Sequence, residues 1–157
     1  MRIGNGFDVH RLEEGIPLII GGVRLEYERG LKGHSDGDVL THAIMNALLG
    51  AAALGDIGVH FPPGDPKFKG ADSQQLLKQV KALLDQAGYR IENIDSMIVC
   101  ERPKLSPHYG AMRKQLSDTL GLEIDRISVK AATAEGLGSI GAGIAIAAQA
   151  VALIERQ

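Results

Sequence analysis

The stretch HSDGDVLTHAIMNALLGAAALGDIG, residues 34–58, passes from a polar, glycine-containing turn into a run with helical periodicity. The periodicity predicts an amphipathic helix over residues 38–50 that ends at Gly50. Its apolar stripe consists of Val39, Leu40, Ala43, Ile44, Ala47 and Leu48. His42 falls away from this stripe, on the flank shared with Asp38 and Asn46. We therefore do not expect His42 to be a core histidine.

The segments on either side of this helix alternate between strand and helix patterns. Upstream, residues 2–10 and 17–22 are typical of strands, and the second ends in a glycine turn. Downstream, the patterns predict a helix capped by Ser73 and stopped by Gly88, a strand over 94–100 and a helix capped by Ser106. Strands over 127–131 and within 136–154 complete the order β-β-α-α-β-α-β-β. This order indicates an α/β fold, a sheet with helices packed on it.

The bulk composition fits one domain spanning residues 1–157 and excludes some functions. A net charge of −2, from 17 basic and 19 acidic residues, offers no basic surface for nucleic acid or for a membrane. The one cysteine, Cys100, permits no internal disulfide and indicates a reducing compartment. The first ten residues lack the features of a signal or transit peptide, so we expect a cytoplasmic protein.

The stretch from Gly136 to Ile154 is long enough to raise the possibility of a membrane span, because its 19 residues carry no charge. It consists mainly of Ala and Gly, however, and includes Ser139 and Gln149. Such a segment is only weakly hydrophobic. We expect a buried strand that faces partner subunits.

Asp8, His10 and His42 are candidate metal ligands. Asp8 and His10 lie two apart on a predicted strand, so both side chains leave the same face. Two imidazoles and one carboxylate with an open fourth position suit a catalytic Zn²⁺. A surface Asp-x-His dipeptide with no metal is the alternative.

Several loops combine backbone freedom with polar side chains. His34 and Ser35 precede a helix N-terminus, where free amides favour anions. Asp56 lies in a short turn, and a proline-rich loop covers residues 61–66. Thr133 and Glu135 end a strand, and Glu135 could hold a hard cation such as Mg²⁺ or Mn²⁺. Plain connecting loops and solvated charges explain each of these equally well. His60 and His108 look like surface or capping residues.

The order of these segments resembles the 2-C-methyl-D-erythritol 2,4-cyclodiphosphate synthase family over the whole chain. The matching segments are GFDVH (6–10), IIGG (19–22), the 34–58 block, FKGADS (68–73), RPKLSPH (102–108) and VKAATAEGLG (129–138). The resemblance implies a metal-dependent phosphorus–oxygen lyase of non-mevalonate (MEP) isoprenoid biosynthesis. It would convert 4-diphosphocytidyl-2-C-methyl-D-erythritol 2-phosphate to 2-C-methyl-D-erythritol 2,4-cyclodiphosphate and release CMP. It also implies ferredoxin-like topology elements, with helices on one face of the sheet, and a homotrimer around a central cavity with active sites between subunits.

The resemblance assigns roles to particular residues. Zn²⁺ would be held by Asp8, His10 and His42, and a second divalent cation, Mg²⁺ or Mn²⁺, by Glu135 and the substrate diphosphate. His34 and Thr133 would stabilise the transition state. The substrate would be bound by Ser35, Asp56, Ile57, Gly58, Phe61, Gly64, Asp65, Cys100, Pro103, Lys104, Leu105, Ser106, Ala132 and Ala134.

The chain departs from the family pattern at several positions. Asn46 and Pro63 replace usual acids, and Ala132 and Ala134 stand where threonines are common. We expect Asn46 to reduce the negative charge around the metal. In the tail, an aromatic, an arginine and an acid are replaced by Ser139, Ala142 and Ile144. The trimer cavity should therefore lack an anchor for isoprenoid diphosphates, which native mass spectrometry with farnesyl diphosphate would test. The departures at 46, 63 and 132 leave a trimeric binding protein as one alternative. A zinc hydrolase of nucleotide diphosphates, which would also explain the metal ligands and the cytidine loop, is another.

Overall fold

The long strand β1 (Arg2–Glu14) organises the structure, a computed structural model that describes all of residues 1–157. It pairs antiparallel with β4 (Arg29–Leu31) at its C-terminal end and with β7 (Ala145–Arg156) along most of its length. Beyond β7 lies β5 (Tyr89–Val99), antiparallel to β7 and parallel to β6 (Ile127–Ala132). The result is a mixed five-stranded sheet in the order β4-β1-β7-β5-β6.

The helices and a small hairpin complete the α/β fold. The helices are α1 (Val39–Ala52), α2 (Ile57–His60), α3 (Ser73–Gln86), α4 (Tyr109–Leu120) and α5 (Gly138–Gly141). Strands β2 (Leu18–Ile20) and β3 (Val23–Leu25) form the hairpin, and single 3-10 turns cover Pro66–Phe68, Ser106–His108 and Ile124–Arg126. No helix combines the length and the apolar character that crossing a membrane requires.

The helices pack on one face of the sheet, as expected. Along β1, Gly4 and Gly6 are buried under α1, whereas Ile3, Phe7 and Val9 point to the other face and are exposed. This alternation follows from the two-residue period of a strand. A single cluster of 36 buried residues between sheet and helices forms the core.

Strand β1 and helix α1 are in direct contact because two glycines of β1 carry no side chain. A Cβ atom at Gly4 would lie 2.0 Å from the carbonyl oxygen of Ala47, and one at Gly6 would lie 2.0 Å from that of Ala43. The close approach places His42 of α1 beside Asp8 and His10 of β1.

Helix α1 is more deeply buried than the prediction of an amphipathic helix with a polar flank at Asp38, His42 and Asn46 implied. Only Asn46 and Gly50 of its 14 residues are not buried, and the preceding cap residue, Asp38, is fully buried. His42 is only 6% exposed. The sheet covers one side of the helix, and α3, α2 and β2 contact it elsewhere. His42 is therefore buried, but in a polar environment.

Other sequence predictions needed correction at element ends. Helix α1 continues past Gly50 to Ala52, and the cap of α3 is Asp72, whose side chain accepts from the Gln74 amide. Ser106 begins a 3-10 turn, and α4 starts at Tyr109. In the tail, α5 precedes the last strand, which begins only at Ala145.

The topology shares one element with ferredoxin-like folds. Ferredoxin-like folds contain a split βαβ unit, in which another strand lies between the two parallel strands. Here β1 and β5 form such a unit, because both are antiparallel to β7, which lies between them, and α1 and α3 connect them. The other parallel pair, β5 and β6, is connected by α4 and is directly paired. Strands β3 and β4 were missed because each has three residues and includes an arginine, whereas the equally short β2 lies in the apolar run PLII.

Candidate active site

Three potential metal ligands converge where β1 meets α1. The Asp8 Oδ2 atom lies 2.7 Å from His10 Nε2 and 2.9 Å from His42 Nδ1, and the two nitrogens are 3.2 Å apart. Asp8 and His10 share one face of β1, as their spacing predicted, and His42 faces them from the second turn of α1. These three residues could therefore hold one metal ion.

Backbone groups orient the two ligands from β1. His10 Nδ1 lies 2.6 Å from the Lys32 carbonyl oxygen, which can only accept a hydrogen bond. Nδ1 therefore carries a proton, and Nε2 faces Asp8 and His42, where it can donate to the Asp8 carboxylate or, without its proton, offer a lone pair to a metal ion. The Val9 amide donates to Asp8 Oδ1 over 2.9 Å, which leaves Oδ2 as the free ligand oxygen.

Hydroxyl groups orient the third ligand, His42. Its Nε2 atom lies 2.9 Å from Ser35 Oγ and 3.0 Å from Ser73 Oγ. Ser73 Oγ in turn donates to the carboxylate of Asp36, and the Ser73 amide donates to the other Asp36 oxygen over 2.9 Å. Sequence reasoning missed the contribution of Asp36 and Ser73 to this site, since it assigned Ser73 only to a helix cap.

The electrostatics of the site keep Asp8 ionised. Burial by itself would raise the pKa of the Asp8 carboxyl, but hydrogen bonds and Coulombic attraction from His10 and His42 lower it to about 2. Burial opposes the charged form of His10 as well, yet the Asp8 carboxylate and the Lys32 carbonyl raise its pKa above the ordinary value. Asp8 thus supplies one negative charge to any bound cation.

The donor set fits a catalytic metal ion better than a structural one. One carboxylate and two imidazoles without thiolates match three-ligand zinc sites that keep a fourth position open. All three residues line a cavity of about 290 Å³, so an additional ligand could reach the metal position.

Five residues that were expected to contact the substrate or its transition state line the same cavity. His34, Ser35, Ile57, Gly58 and Phe61 lie in its wall. The remaining lining residues are Met45, Pro63, Phe68 and Leu76. The cavity therefore combines apolar walls with polar groups near the metal position.

Three expected contacts lie outside the cavity lining: Asp56, Gly64 and Asp65. The Asp56 side chain caps α2 by accepting from the Val59 amide over 3.1 Å. Asp65 caps the following 3-10 turn through the Lys67 amide, and its carbonyl oxygen lies 3.2 Å from His34 Nε2. In this structure, Asp56 and Asp65 shape the loops around the cavity.

Asn46 contacts the loop rather than the metal ligands. Its side-chain oxygen accepts from the Ile57 amide over 3.0 Å and so fixes the start of α2. The expectation that Asn46 acts on the charge around the metal finds no contact to support it. An amide oxygen serves this acceptor role as well as a carboxylate would.

A second cleft, of about 410 Å³, contains most of the other expected contacts. Its lining includes Cys100, Pro103, Lys104, Leu105, Ser106, Ala132 and Thr133. Ala134 and Glu135 are not part of this lining, although Thr133 Oγ1 donates to Glu135 Oε1 over 2.8 Å. The two clefts share no lining residue. Within one chain, the expected site residues therefore lie in two separate clefts.

Glu101 shapes the rim of the second cleft, a role that sequence reasoning did not assign. Its Oε1 atom accepts from the Ala134 amide over 2.7 Å and from the Gly136 amide over 3.4 Å. These bonds hold the turn in which Glu135 adopts a positive φ of 52°. The Glu135 side chain is exposed at this turn.

Together, the fold and the Asp8–His10–His42 centre define a metal-binding α/β protein with two clefts for ligand groups. A model of the YgbB family matches residues 1–155, and the chain belongs to that family.

Named relatives and solved structures match the chain closely. A Geobacter metallireducens protein named 2-C-methyl-D-erythritol 2,4-cyclodiphosphate synthase is 60% identical over 157 residues, which cover 100% of both chains. The bifunctional IspDF from Campylobacter jejuni superimposes with a TM-score of 0.96 at 44% identity, covering 99% of this chain and 42% of that one. A 2C-methyl-D-erythritol-2,4-cyclodiphosphate synthase in a CDP-bound form gives a TM-score of 0.90 at 40% identity, covering 98% of this chain and 100% of that one.

Proposed function

We propose that this chain converts 4-diphosphocytidyl-2-C-methyl-D-erythritol 2-phosphate to 2-C-methyl-D-erythritol 2,4-cyclodiphosphate and CMP. It is a metal-dependent phosphorus–oxygen lyase of the MEP route to isoprenoids. The observation that carries this proposal is the 60% identity over the full chain to a relative of that name. The Asp8, His10 and His42 triad supplies the metal site that such an enzyme needs.

The reaction requires the protein to position a flexible polyanion rather than to provide a nucleophile. The attacking group is an ionised phosphate oxygen of the substrate itself, and CMP is the leaving group. The protein must bring that oxygen into line with the β-phosphorus and neutralise charge on the phosphoryl group. Zn²⁺ held by Asp8, His10 and His42 would supply Lewis-acid stabilisation of the diphosphate.

The residues around the metal-site cavity provide the positioning groups. Ser35 and His34 lie in its wall and would contact the erythritol phosphate and the developing charge. Asp56 and Gly58 would hold the ribose, with Ile57 in the same wall, and the loop from Phe61 to Asp65 would contact the erythritol. Gly64 would contact the erythritol from the same loop.

The second cleft would bind the cytidine and part of the diphosphate. Lys104 offers a positive charge, while the walls around Cys100, Pro103, Leu105 and Ser106 suit a flat base. The CDP-bound form of the similar structure supports a cytidine nucleotide as the ligand class. Ala132, Thr133 and Ala134 would line the diphosphate, and Glu135 would hold a second divalent cation, Mg²⁺ or Mn²⁺.

A homotrimer would unite the two clefts, one from each neighbouring subunit. In its support, Ile3, Phe7, Val9 and Val151 are exposed on the sheet face that carries no helix. Such an apolar face is costly in water and calls for a partner surface. Packing three copies around it would form the central cavity and place the active sites between subunits. Residues 1–157 would act as one domain in each subunit, and the single reduced thiol fits a cytoplasmic location.

The test is to follow the substrate by phosphorus NMR with zinc-loaded protein and Mg²⁺. We expect the cyclic diphosphate and CMP to appear together, and the rate to fall by about 100-fold or more in His42→Ala because a metal ligand is lost. His108→Ala, in a 3-10 turn outside both clefts, is the matched control and should keep its rate. A linear product would instead identify a hydrolase. Unchanged substrate with a folded, zinc-bound protein would favour a binding protein.

A further inference from the structure

Asp36 has no place in the proposed chemistry, yet its carboxylate faces the metal centre through one intervening side chain. It accepts hydrogen bonds from the Ser73 hydroxyl and the Ser73 amide, and also from the Asp38 amide over 3.2 Å. Ser73 is completely buried, and its Oγ lies 3.0 Å from Nε2 of the buried ligand His42. Asp36, Ser73 and His42 thus form a continuous chain of hydrogen bonds, which we call the Asp36 relay.

The direction of each bond in the Asp36 relay follows from the chemistry of its members. An ionised carboxylate can only accept, so the Ser73 hydroxyl proton points at Asp36. The Ser73 oxygen then has only lone pairs to offer to His42, and Nε2 must be the protonated nitrogen of that ring. His42 Nδ1 faces Asp8 Oδ2 at 2.9 Å and His10 Nε2 at 3.2 Å, so it is the nitrogen that can offer a lone pair to a metal ion bound among the three residues.

The proton on His42 Nε2 also determines what the Ser35 hydroxyl can bind. Its Oγ lies 2.9 Å from His42 Nε2, which already carries a proton, so Ser35 cannot donate to that nitrogen. Ser35 lines the metal-site cavity, and its hydroxyl proton is free to turn into it. A phosphate oxygen bound beside the metal would accept this hydrogen bond.

We propose that Asp36, acting through Ser73, is a positioning residue that presents His42 Nδ1 to the metal and frees the Ser35 hydroxyl for a phosphate group. The inference rests on the proposed function for the presence of a metal and a phosphate. The other imidazole, His10, needs no such side-chain relay because a backbone carbonyl fixes its proton. The two histidines therefore bind through different nitrogens, and only His42 depends on a side chain that mutation can remove.

Two variants interrupt the Asp36 relay at different members. Asp36→Asn keeps the shape of the side chain but removes the charge that holds the Ser73 proton. Ser73→Ala removes the acceptor and allows Ser35 to donate to His42 Nε2. Asp72→Asn is the matched control, because Asp72 caps α3 one residue from Ser73 and bonds to the Gln74 amide over 2.8 Å. Asparagine is an equally good cap, so this control loses one negative charge and leaves the relay intact.

The experiment measures zinc affinity by competition with a chromophoric chelator, and the His42 tautomer by long-range proton–nitrogen NMR on metal-free protein. We expect Asp36→Asn and Ser73→Ala to bind zinc about 10-fold or more weakly and to gain the Nδ1-protonated form. Asp72→Asn should match the wild type in both measurements. Circular dichroism melts of each variant separate a loss of folding from a loss of positioning, and either variant that folds provides the test.

Wild-type affinity together with an unchanged His42 tautomer in a folded relay variant would overturn the inference. Neither measurement uses the substrate. A wild-type protein that forms no cyclic product would therefore refute the proposed function alone, whereas an unaffected Asp36→Asn variant would refute the Asp36 relay alone.

Discussion

Cys100 is the single thiol of the chain, and its surroundings make it unreactive. It is 6% exposed, and its sulfur donates to the Arg102 carbonyl oxygen over 3.0 Å. Burial raises the pKa of this thiol from an ordinary value near 9 to about 11. Because the thiolate is the reactive form, Cys100 contributes packing to the second cleft and no nucleophile.

The raised pKa of Cys100 predicts a loss of stability at alkaline pH. Between pH 9 and 11 the unfolded chain releases the thiol proton while the folded chain keeps it, so folding becomes less favourable as the pH rises. A shift of this size corresponds to about 2–3 kcal/mol in the free energy of unfolding at pH 11, and to no effect below pH 8. Urea denaturation of the wild type and of Cys100→Ala at a series of pH values measures the effect.

In that comparison the wild type should lose more stability than Cys100→Ala as the pH rises. Other groups titrate in the same range, but they are common to both proteins and cancel in the difference. Parallel stability curves from pH 8 to 11 would contradict the prediction.

The sequence predicted some site residues well because their geometry is local. Asp8 and His10 share a strand face by the two-residue period, and this needs no knowledge of the rest of the fold. The position of His42 off the apolar stripe suggested it as the third ligand, and the family resemblance supported this, since spacing alone cannot bring a helix onto a particular strand. Asp36 and Ser73 escaped because 37 residues separate the bonded pair, and neither residue shows any local sign of its partner.

At the scale of elements, the contact between β1 and α1 determines the geometry of the metal centre. Gly4 and Gly6 lie against the backbone of α1, so the strand and the helix approach more closely than any side chain would allow. His42 is one residue before Ala43, whose carbonyl oxygen faces Gly6. A change in this spacing therefore separates the ligand on α1 from the two ligands on β1.

Gly6→Ala should weaken both the fold and the metal site. Its Cβ would lie 2.0 Å from the Ala43 carbonyl oxygen and 2.6 Å from the Ala47 amide nitrogen, and neither backbone group can move aside alone. We expect a loss of about 3 kcal/mol or more in the free energy of unfolding, measured by urea denaturation. Zinc affinity should fall as well, because α1 must shift away from β1.

The matched control for this prediction is Gly50→Ala on the same helix. Gly50 is exposed, and the nearest atom to an added Cβ is the Asn5 carbonyl oxygen at 3.9 Å, an ordinary contact. Alanine in a helix costs less conformational entropy than glycine, so Gly50→Ala should gain about 0.5–1 kcal/mol. Equal effects of the two substitutions would show that the strand–helix contact is less tight than described.

The elements that sequence reasoning found and missed differ in length and in burial. The helices and the long strands have enough residues for a clear period, and the short β2 lies in an apolar run, whereas β3 and β4 have three residues each, one of them an arginine. Helix α1 was found, but its polar flank was misjudged because Asp38 and His42 are buried among polar partners. Asp38 accepts from the Gly21 and Gly22 amides and from Thr41, and only the folded chain brings the two glycines to it.

At the scale of the whole molecule, the sheet has one covered and one bare face. The bare face carries Ile3, Phe7 and Val9 of β1 and Val151 of β7, with exposures from 36% to 71%. Asn5 and Gln149 lie among them and bond to each other over 3.2 Å, so the polar groups of this face are partly satisfied within one chain. The rest of this face is an apolar surface that three copies could bury together. Such packing could bring the metal-site cavity of one subunit against the second cleft of its neighbour.

Phe7→Glu should convert the proposed trimer into monomers without unfolding the chain. Phe7 is 59% exposed, so a charged side chain there is tolerated in water but not at the centre of a subunit interface. Sedimentation velocity should give roughly three times the chain mass of 16.7 kDa for the wild type and that single mass for Phe7→Glu.

Ile124→Glu is the control, because Ile124 is also apolar and 40% exposed but lies in the turn next to α4. Because the proposed active site combines the two clefts of neighbouring subunits, the monomeric variant should bind zinc and yet form no cyclic product. A wild-type monomer, or a monomeric Phe7→Glu variant with full turnover, would show that one chain is sufficient for the reaction.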